Sequence, residues 1–406
     1  MTGIFLNGSD IRNKDDFFDT LHPQLFALAA KSLGEDHAIG RSLDAVYDIL
    51  TDAAEEVKVH INNASEIFAD DRQYYDRFMK MLRAAAGQND NVTYEICEHG
   101  TGCVAVEDEE VMSTTEKAYA KINLSLDVTG RLPNGYHLVK MVMASISLYD
   151  ELIFTLSDDP GIRLTMTDGD GTHSALSLGE DNLITKAARA LPLDLPGLDI
   201  TLNKNIPMAA GMAGGSADAA ATLRALNRLY DLGLTTDELC EIGVRLGADV
   251  PFCVRQGCYL SEGIGEILTE LPGLNNTLEA QGKKAFIALI KPPIDVSTKF
   301  VYEHLDTEGV SIHPDVDGQI EAIRSGSLSG IADRMRNVLR DVTVPAYPIV
   351  GELENFLKAE GALNAMMSGS GPTVFGIFED EDKCRAAIAK AELKYPGMFT
   401  DAVTFM

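Results

Sequence analysis

The stretch PMAAGMAGGSADAAATLRALNRLY, Pro207–Tyr230, places Gly211, Gly214, Gly215 and Ser216 directly before an alanine- and leucine-rich run that reads as a helix. A small-residue turn leading into a helix presents unpaired backbone N–H groups and the positive end of the helix dipole, a cradle suited to phosphate. A tight turn with close helix packing accounts for the glycines equally well. No Gly-Lys-Ser/Thr follows, which excludes a Walker A loop, and the spacing G-x-G-x-x-G is absent. A phosphate held here is held by another geometry. Asp218, at the junction, is suited to Mg²⁺ and better suited to capping the helix start.

Three further stretches bear on that choice. LGADVPFCV, Leu246–Val254, sets Asp249 behind LTTDELCEIGVRLG, a helix opened by a Thr235/Glu238 capping box and stopped by Gly247. Asp249 reads as a turn residue or as a base that takes a proton from an attacking hydroxyl. AKIN, Ala120–Asn123, puts Lys121 and Asn123 on one face of a strand, because residues two apart point the same way. MMSGSGPTVFGIF, Met366–Phe378, sets a second Gly/Ser turn beside a buried strand.

At 406 residues the chain suits two or three domains. Its 45% apolar content supplies globular cores, and no run nears the 18 apolar residues of a membrane span. The start MTGIFLNGSDIRNKDDFFD has no basic residue before Arg12, unlike a leader peptide, so a cytoplasmic protein is expected. Six cysteines at 97, 103, 240, 253, 258 and 384 form no C-x-x-C pair, which points to reduced thiols. A net charge of −28 repels nucleic acid. ATP still suits such a chain where lysines, N–H groups and Mg²⁺ supply local positive charge.

Residues 1–98 read as an α/β unit: strands at GIFLNG, VKVHINN and NVTYEIC, and helices through Phe17, Phe18, Leu21 and Phe26, through SLDAVYDILTDAAEE and through DRQYYDRFMKMLRAAAGQ. Residues 99–114, with Glu107–Glu110, read as an acidic linker. Beyond it, strands and helices mix in two lobes, 115–272 and 273–406, an α/β and α+β arrangement.

In this order, these elements resemble the GHMP kinase superfamily over Thr115–Met406. The resemblance implies an N-terminal lobe with the phosphate loop, a ferredoxin-like C-terminal lobe, and ATP with Mg²⁺ between them. GRLPNGYH (Gly130–His137), with GADVPF and EGIGE (Glu262–Glu266), is similar to the branch that phosphorylates a cytidine diphosphate-linked methylerythritol in the non-mevalonate isoprenoid route. Homoserine- and mevalonate-type kinases are the alternative, and their substrates carry no cytosine. Carried over, Lys121 and Asp249 form the catalytic pair. Pro207, Met208, Ala209, Ala210, Gly211, Met212, Ala213, Gly214, Gly215, Ser216 and Ala217 wrap the ATP phosphates, with Ser216 near the metal or the β-phosphate and Lys204 on the nucleotide side. Tyr136 and His137 meet the cytosine, Asn123 and Thr298 touch the substrate, and Tyr302 is a second aromatic for the base. Gly369 and Gly371 shape the floor. The metal ligands stay open.

The front unit is similar instead to barstar, the inhibitor of barnase-type ribonucleases, through IFLNGSDIRNKDDFFDTL and the pattern G-x-x-LDA-x-x-D from Gly40 to Asp48. That resemblance implies a small parallel sheet with helices. It also implies that Asp44 and Asp48, four apart on one helix face, block a basic nuclease's phosphate site. Residues 1–110 carry 22 acidic against 9 basic residues, a charge suited to such a partner. Tyr47 and His37–Ile39 depart from the barstar pattern, which has tryptophan and tyrosines there.

Overall fold

In the computed structural model the chain divides into two compact units, Met1–Glu110 and Val111–Met406. The described residues are 2–7, 11, 14–33, 42–51, 53, 56–62, 67, 72–89, 91–97, 104–105, 113–157, 160–167, 176–192, 197–305, 310 and 312–406. Most of the expected linker, and the side chains of Phe26 and Asp44, lie outside them.

In the first unit, strands Thr2–Asn7, Val57–Asn62 and Val92–Cys97 run parallel in chain order, and the short Val104–Ala105 closes one edge antiparallel. Parallel neighbours need crossovers. Helices Lys14–Leu33 and Leu43–Thr51 supply the first and Arg72–Gln88 the second. The alternation in VKVHIN buries Val57, Val59 and Ile61 against Phe17, Phe18, Leu21 and Phe78. Asn89 donates from Nδ2 to the carbonyls of Leu50, Thr51 and Ala53, tying the end of the second helix to the turn before the last strand.

The second unit is organised by a long antiparallel pair, Ser113–Arg131 with His137–Leu156. Strands Cys258–Glu262 and Ile267–Glu270 extend the sheet on one side. Gly197–Asn203 takes up the far end of His137–Leu156 and pairs in parallel with Gly161–Thr167. Helix Gly214–Leu229 packs on this sheet through Ala217, Ala219, Ala220, Ala221 and Leu223, all buried. Its alanines let the helix lie close to the strands.

The C-terminal strands Phe286–Lys291, Asn364–Met367, Val374–Phe378 and Phe399–Thr404 form an antiparallel sheet in the order second, third, first, fourth. With helices Pro348–Ala359 and Glu381–Lys394 after the first and third strands, this is the ferredoxin-like order that the resemblance implies. The two lobes interlock. Arg336–Asn337, from the C-terminal half, pairs in parallel with Ser125–Leu126 of the first sheet, and Phe405 bridges Ile146.

Candidate active site

A cleft of about 1190 Å³ in the second unit is lined by the phosphate-loop region, the strand carrying Lys121, the Asp249 turn and the Gly369–Ser370 turn. The long strand is irregular on both sides of Lys121, its register shifting between Tyr119 and Lys121 and again between Asn123 and Ser125. These bulges re-aim the side chains near the cleft. Lys121 Nζ donates to Asn123 Oδ1 at 2.7 Å, and Asn123 Nδ2 lies 3.2 Å from the Met141 sulfur. Asp249 Oδ2 stands 3.8 Å from the Lys121 ammonium. Asp249 precedes the short helix Val250–Arg255, yet its side chain makes no capping bond. Its carboxylate is one-third exposed, 32%, so it is available to the cleft.

The phosphate loop takes its shape from left-handed backbone at Ala209, Gly211 and Ala213, with φ of 48°, 71° and 58°. Left-handed residues recurring along a turn favour a nest of backbone N–H groups suited to an anion. The first bond of the following helix runs from Ala217 N to Ala213 O at 2.8 Å, leaving the N–H groups of Gly214, Gly215 and Ser216 without intrahelical partners. Close packing asks for glycine at two of these positions. A Cβ on Gly211 would stand 2.2 Å from the Ser368 carbonyl oxygen, and one on Gly214 would stand 3.2 Å from Lys204 Nζ. Two of the three left-handed positions are alanines. Met212 and Ala217 turn their side chains into the core and do not line the cleft. The Met212 carbonyl accepts from Lys121 N at 3.1 Å, which ties the loop to the strand carrying Lys121.

Asp218 is not the helix cap. Ala213 is, without a side-chain bond. Asp218 lies buried and accepts from Lys204 Nζ at 2.7 Å, while Lys204 also donates to Asp150 at 2.5 Å. Lys204 borders the cleft, but its ammonium is engaged by these two carboxylates. Burial pushes the Asp218 carboxyl up, to about 7, against the pull of Lys204. Burial alone would lower the lysine; Asp218 and Asp150 outweigh it and hold it above its ordinary value. Asp150, 54 residues before Lys204, carries no local signal that would have singled it out.

At the aromatic end, the His137 and Tyr302 rings lie 5.2 Å apart, with Tyr136 exposed at the rim. Burial, then the charge of Arg131, lowers the His137 pKa, so its imidazole is neutral at pH 7. Burial, then Asp249, raises that of Tyr302 and keeps the phenol protonated. Thr298 Oγ1 and Ser370 Oγ lie 2.9 Å apart. Ser368 Oγ donates to the Gly211 carbonyl at 2.9 Å, joining the second Gly/Ser turn to the phosphate loop. Arg131, Ser177, Asp181 and Ser370 also line the cleft and were not singled out from sequence. Among the described residues no cluster of three or more His, Cys, Asp or Glu forms a metal site.

A phosphate nest, a lysine–aspartate pair and an aromatic end sharing one cleft define a small-molecule phosphotransferase. Residues 182–257 and 319–397 match the GHMP kinase N-terminal and C-terminal families, and residues 1–97 match Barstar (barnase inhibitor). The chain is 49% identical over 269 residues to the 4-diphosphocytidyl-2-C-methyl-D-erythritol kinase of Lachnospira eligens, covering 65% of this chain and 88% of that one. A solved 4-(cytidine 5'-diphospho)-2C-methyl-D-erythritol kinase is similar at 28% identity and a TM-score of 0.57, over 72% of this chain and 99% of that one. The homoserine kinase of Cytophaga hutchinsonii, at 19% identity and a TM-score of 0.57 over 74% of this chain and 97% of that one, shares the fold. The chain therefore belongs to the GHMP kinases, in the 4-diphosphocytidyl-2-C-methyl-D-erythritol kinase family, and carries a Barstar-family segment in front.

Proposed function

We propose that residues 115–406 transfer the γ-phosphoryl group of ATP to the 2-hydroxyl of 4-diphosphocytidyl-2-C-methyl-D-erythritol, a step in isoprenoid precursor synthesis. The observation that carries this reading is the Lys121–Asn123–Asp249 constellation facing the same cleft as the phosphate nest. Asp249 takes the proton of the 2-hydroxyl as its oxygen bonds to the γ-phosphorus and the bond to the β-phosphate oxygen breaks, releasing ADP. Lys121 balances charge at the reacting centre. The loop N–H groups hold the phosphates, and neutral His137 and Tyr302 take the cytosine by hydrogen bonding and stacking. Asn123 and Thr298 hold the rest of the substrate.

The Ser216 hydroxyl, at the cleft wall in the first helical turn, suits a Mg²⁺ that arrives with most of its ligands as phosphate oxygens and water. When bound, that ion offsets the charge of the transferring phosphoryl group. The test is ADP release with Mg-ATP and the cytidyl substrate, run beside homoserine, mevalonate and Asp249→Asn. Turnover with the cytidyl substrate alone, lost in the variant, supports the assignment. Activity with another alcohol replaces it.

For the first unit, the Barstar-family match supports a second activity: capture of a basic ribonuclease by the face carrying Asp44 and Asp48. Asp48 is exposed on its helix. Titration of the full chain with barnase, followed by residual nuclease activity, tests it. Inhibition that Asp48→Ala removes supports the assignment, and an unaffected nuclease ends it.

A further inference from the structure

Three ionisable side chains lie almost wholly buried beneath the phosphate loop, with Lys204 and Asp218 at the cleft wall. Lys204 and Asp218 are 7% and 3% exposed, and Asp150 is fully buried. They come from three elements that meet at the loop. Asp150 sits on the central strand His137–Leu156, Lys204 directly follows strand Gly197–Asn203, and Asp218 sits in the first turns of helix Gly214–Leu229. Beyond accepting from Lys204, Asp150 uses Oδ1 to accept from Asn205 N at 2.6 Å and Ile206 N at 2.8 Å, the two residues before the loop. Gly214 leaves the room that the ammonium occupies: a Cβ there would stand 3.2 Å from Nζ and 3.1 Å from Ile206 Cγ2. Buried ion pairs are a poor source of stability, because desolvation offsets most of the Coulomb gain. Two carboxylates on one ammonium are poorer still, and Asp218 Oδ1 has no hydrogen-bond partner. What the arrangement does supply is geometry at both ends of the loop.

We propose that Asp150, Lys204 and Asp218 form a positioning unit. Asp150 fixes the chain as it approaches the phosphate loop, Asp218 fixes the helix that leaves it, and Lys204 ties the two together, so that the unit sets the pose and affinity of the nucleotide phosphates. This rests on the loop being the site of ATP, as proposed above. The three residues are positioning rather than catalytic, and Lys204 acts through the loop instead of contacting phosphate.

The test uses the full chain with Lys204→Met and the near-isosteric Asp218→Asn, titrated calorimetrically with Mg-AMP-PNP and, separately, with CDP, alongside kinetics. Lys204→Met is expected to weaken Mg-AMP-PNP at least tenfold and raise the KM for ATP in step, with CDP affinity and the KM for the alcohol within twofold of wild type. Asp218→Asn keeps an acceptor for the ammonium and is expected to shift nucleotide affinity at least threefold, again without touching CDP. A folded Lys204→Met with native nucleotide affinity overturns the proposal, as does an equal loss for both ligands. If Lys204→Met does not fold, Asp218→Asn decides by the same criteria. A wild-type protein that binds CDP but not Mg-AMP-PNP defeats the reading of the loop itself, a result distinct from wild-type binding that the variants leave unmoved.

Discussion

One cleft holds two lysine–aspartate contacts of opposite character. Lys121 and Asp249 stand 3.8 Å apart, and the aspartate is one-third exposed. Lys204 touches Asp150 and Asp218 at 2.5 and 2.7 Å, and all three side chains are almost wholly shut off from solvent. The first pair is loose and its carboxylate faces the cleft, which suits the proposed meeting with a hydroxyl, since a tight ion pair would compete with that. The second is closed, and its partners are spread over a strand, a loop approach and a helix, where tight contact holds geometry. On the proposed mechanism, the same two residue types divide into reacting and holding roles.

The largest effect belongs to the open pair. Asp249→Asn should lower kcat by about 10²–10⁴-fold, the usual consequence of losing a general base. Its Tm should stay within a degree or two, because partly exposed ion pairs contribute only about 0–1 kcal/mol. Single-turnover kinetics beside a thermal melt would read both. Lys204→Met should reverse the pattern and strip about 3–5 kcal/mol of stability, since it leaves two buried carboxylates without their cation. A denaturant titration of the two variants side by side would collapse the distinction if their losses matched.

Gly211→Ala comes next. Its backbone sits at φ 71°, and the added Cβ would meet the Ser368 carbonyl at 2.2 Å. A non-glycine residue held there costs about 1–3 kcal/mol, so the loop has to part from the second Gly/Ser turn. Nucleotide affinity should fall while CDP binding holds, which fluorescence or calorimetric titration would show. His137→Gln should act on the other ligand only, raising the KM for the cytidyl substrate by roughly tenfold, in line with about 1–3 kcal/mol per stacked or hydrogen-bonded base. Because burial keeps the wild-type imidazole neutral, that KM should be flat from pH 8 down to the ordinary histidine range and climb only below it. The variant should lose the climb.

The open pair was reached through the family resemblance, and the sealed one was not reached at all. Lys121 and Asn123 lie two apart on a strand, and Asp249 follows a helix whose capping box is seen at Thr235 and Glu238. Local pattern gives only the shared strand face and the turn; the pairing of Lys121 with Asp249 is what the resemblance implies. Lys204 and Asp218 are 14 residues apart, and Asp150 is a further 54 upstream, so only the tertiary meeting of strand and helix discloses their contact. For the same reason Asp218 looked like a cap. In the loop, left-handed backbone falls on Ala209 and Ala213 as well as on Gly211, and Gly211 and Gly214 make room for Ser368 and Lys204, contacts that the local sequence does not show. In the first unit the strand at Val57, Val59 and Ile61 was readable from alternation, and the parallel order of the sheet from the resemblance to barstar.

The smallest effect tests the charge of the sealed site. Burial holds the Asp218 carboxyl up, at about 7, against an ordinary value near 3.9 in the unfolded chain. The folded state therefore binds this proton more tightly than the unfolded state does. The stability it contributes is fully present below about pH 4 and is lost as pH rises through 7. Lys204, held above its ordinary value, stays charged over the whole window and adds no slope of its own. The amide introduced by Asp218→Asn cannot titrate, so the Tm gap between that variant and wild type isolates the proton from every other carboxylate in this acidic chain. Wild type should be the more stable of the two by a wider margin at pH 5.5 than at pH 8. A gap that does not change with pH would mean that Asp218 is ionised throughout, and that the site under the phosphate loop carries its excess negative charge at rest.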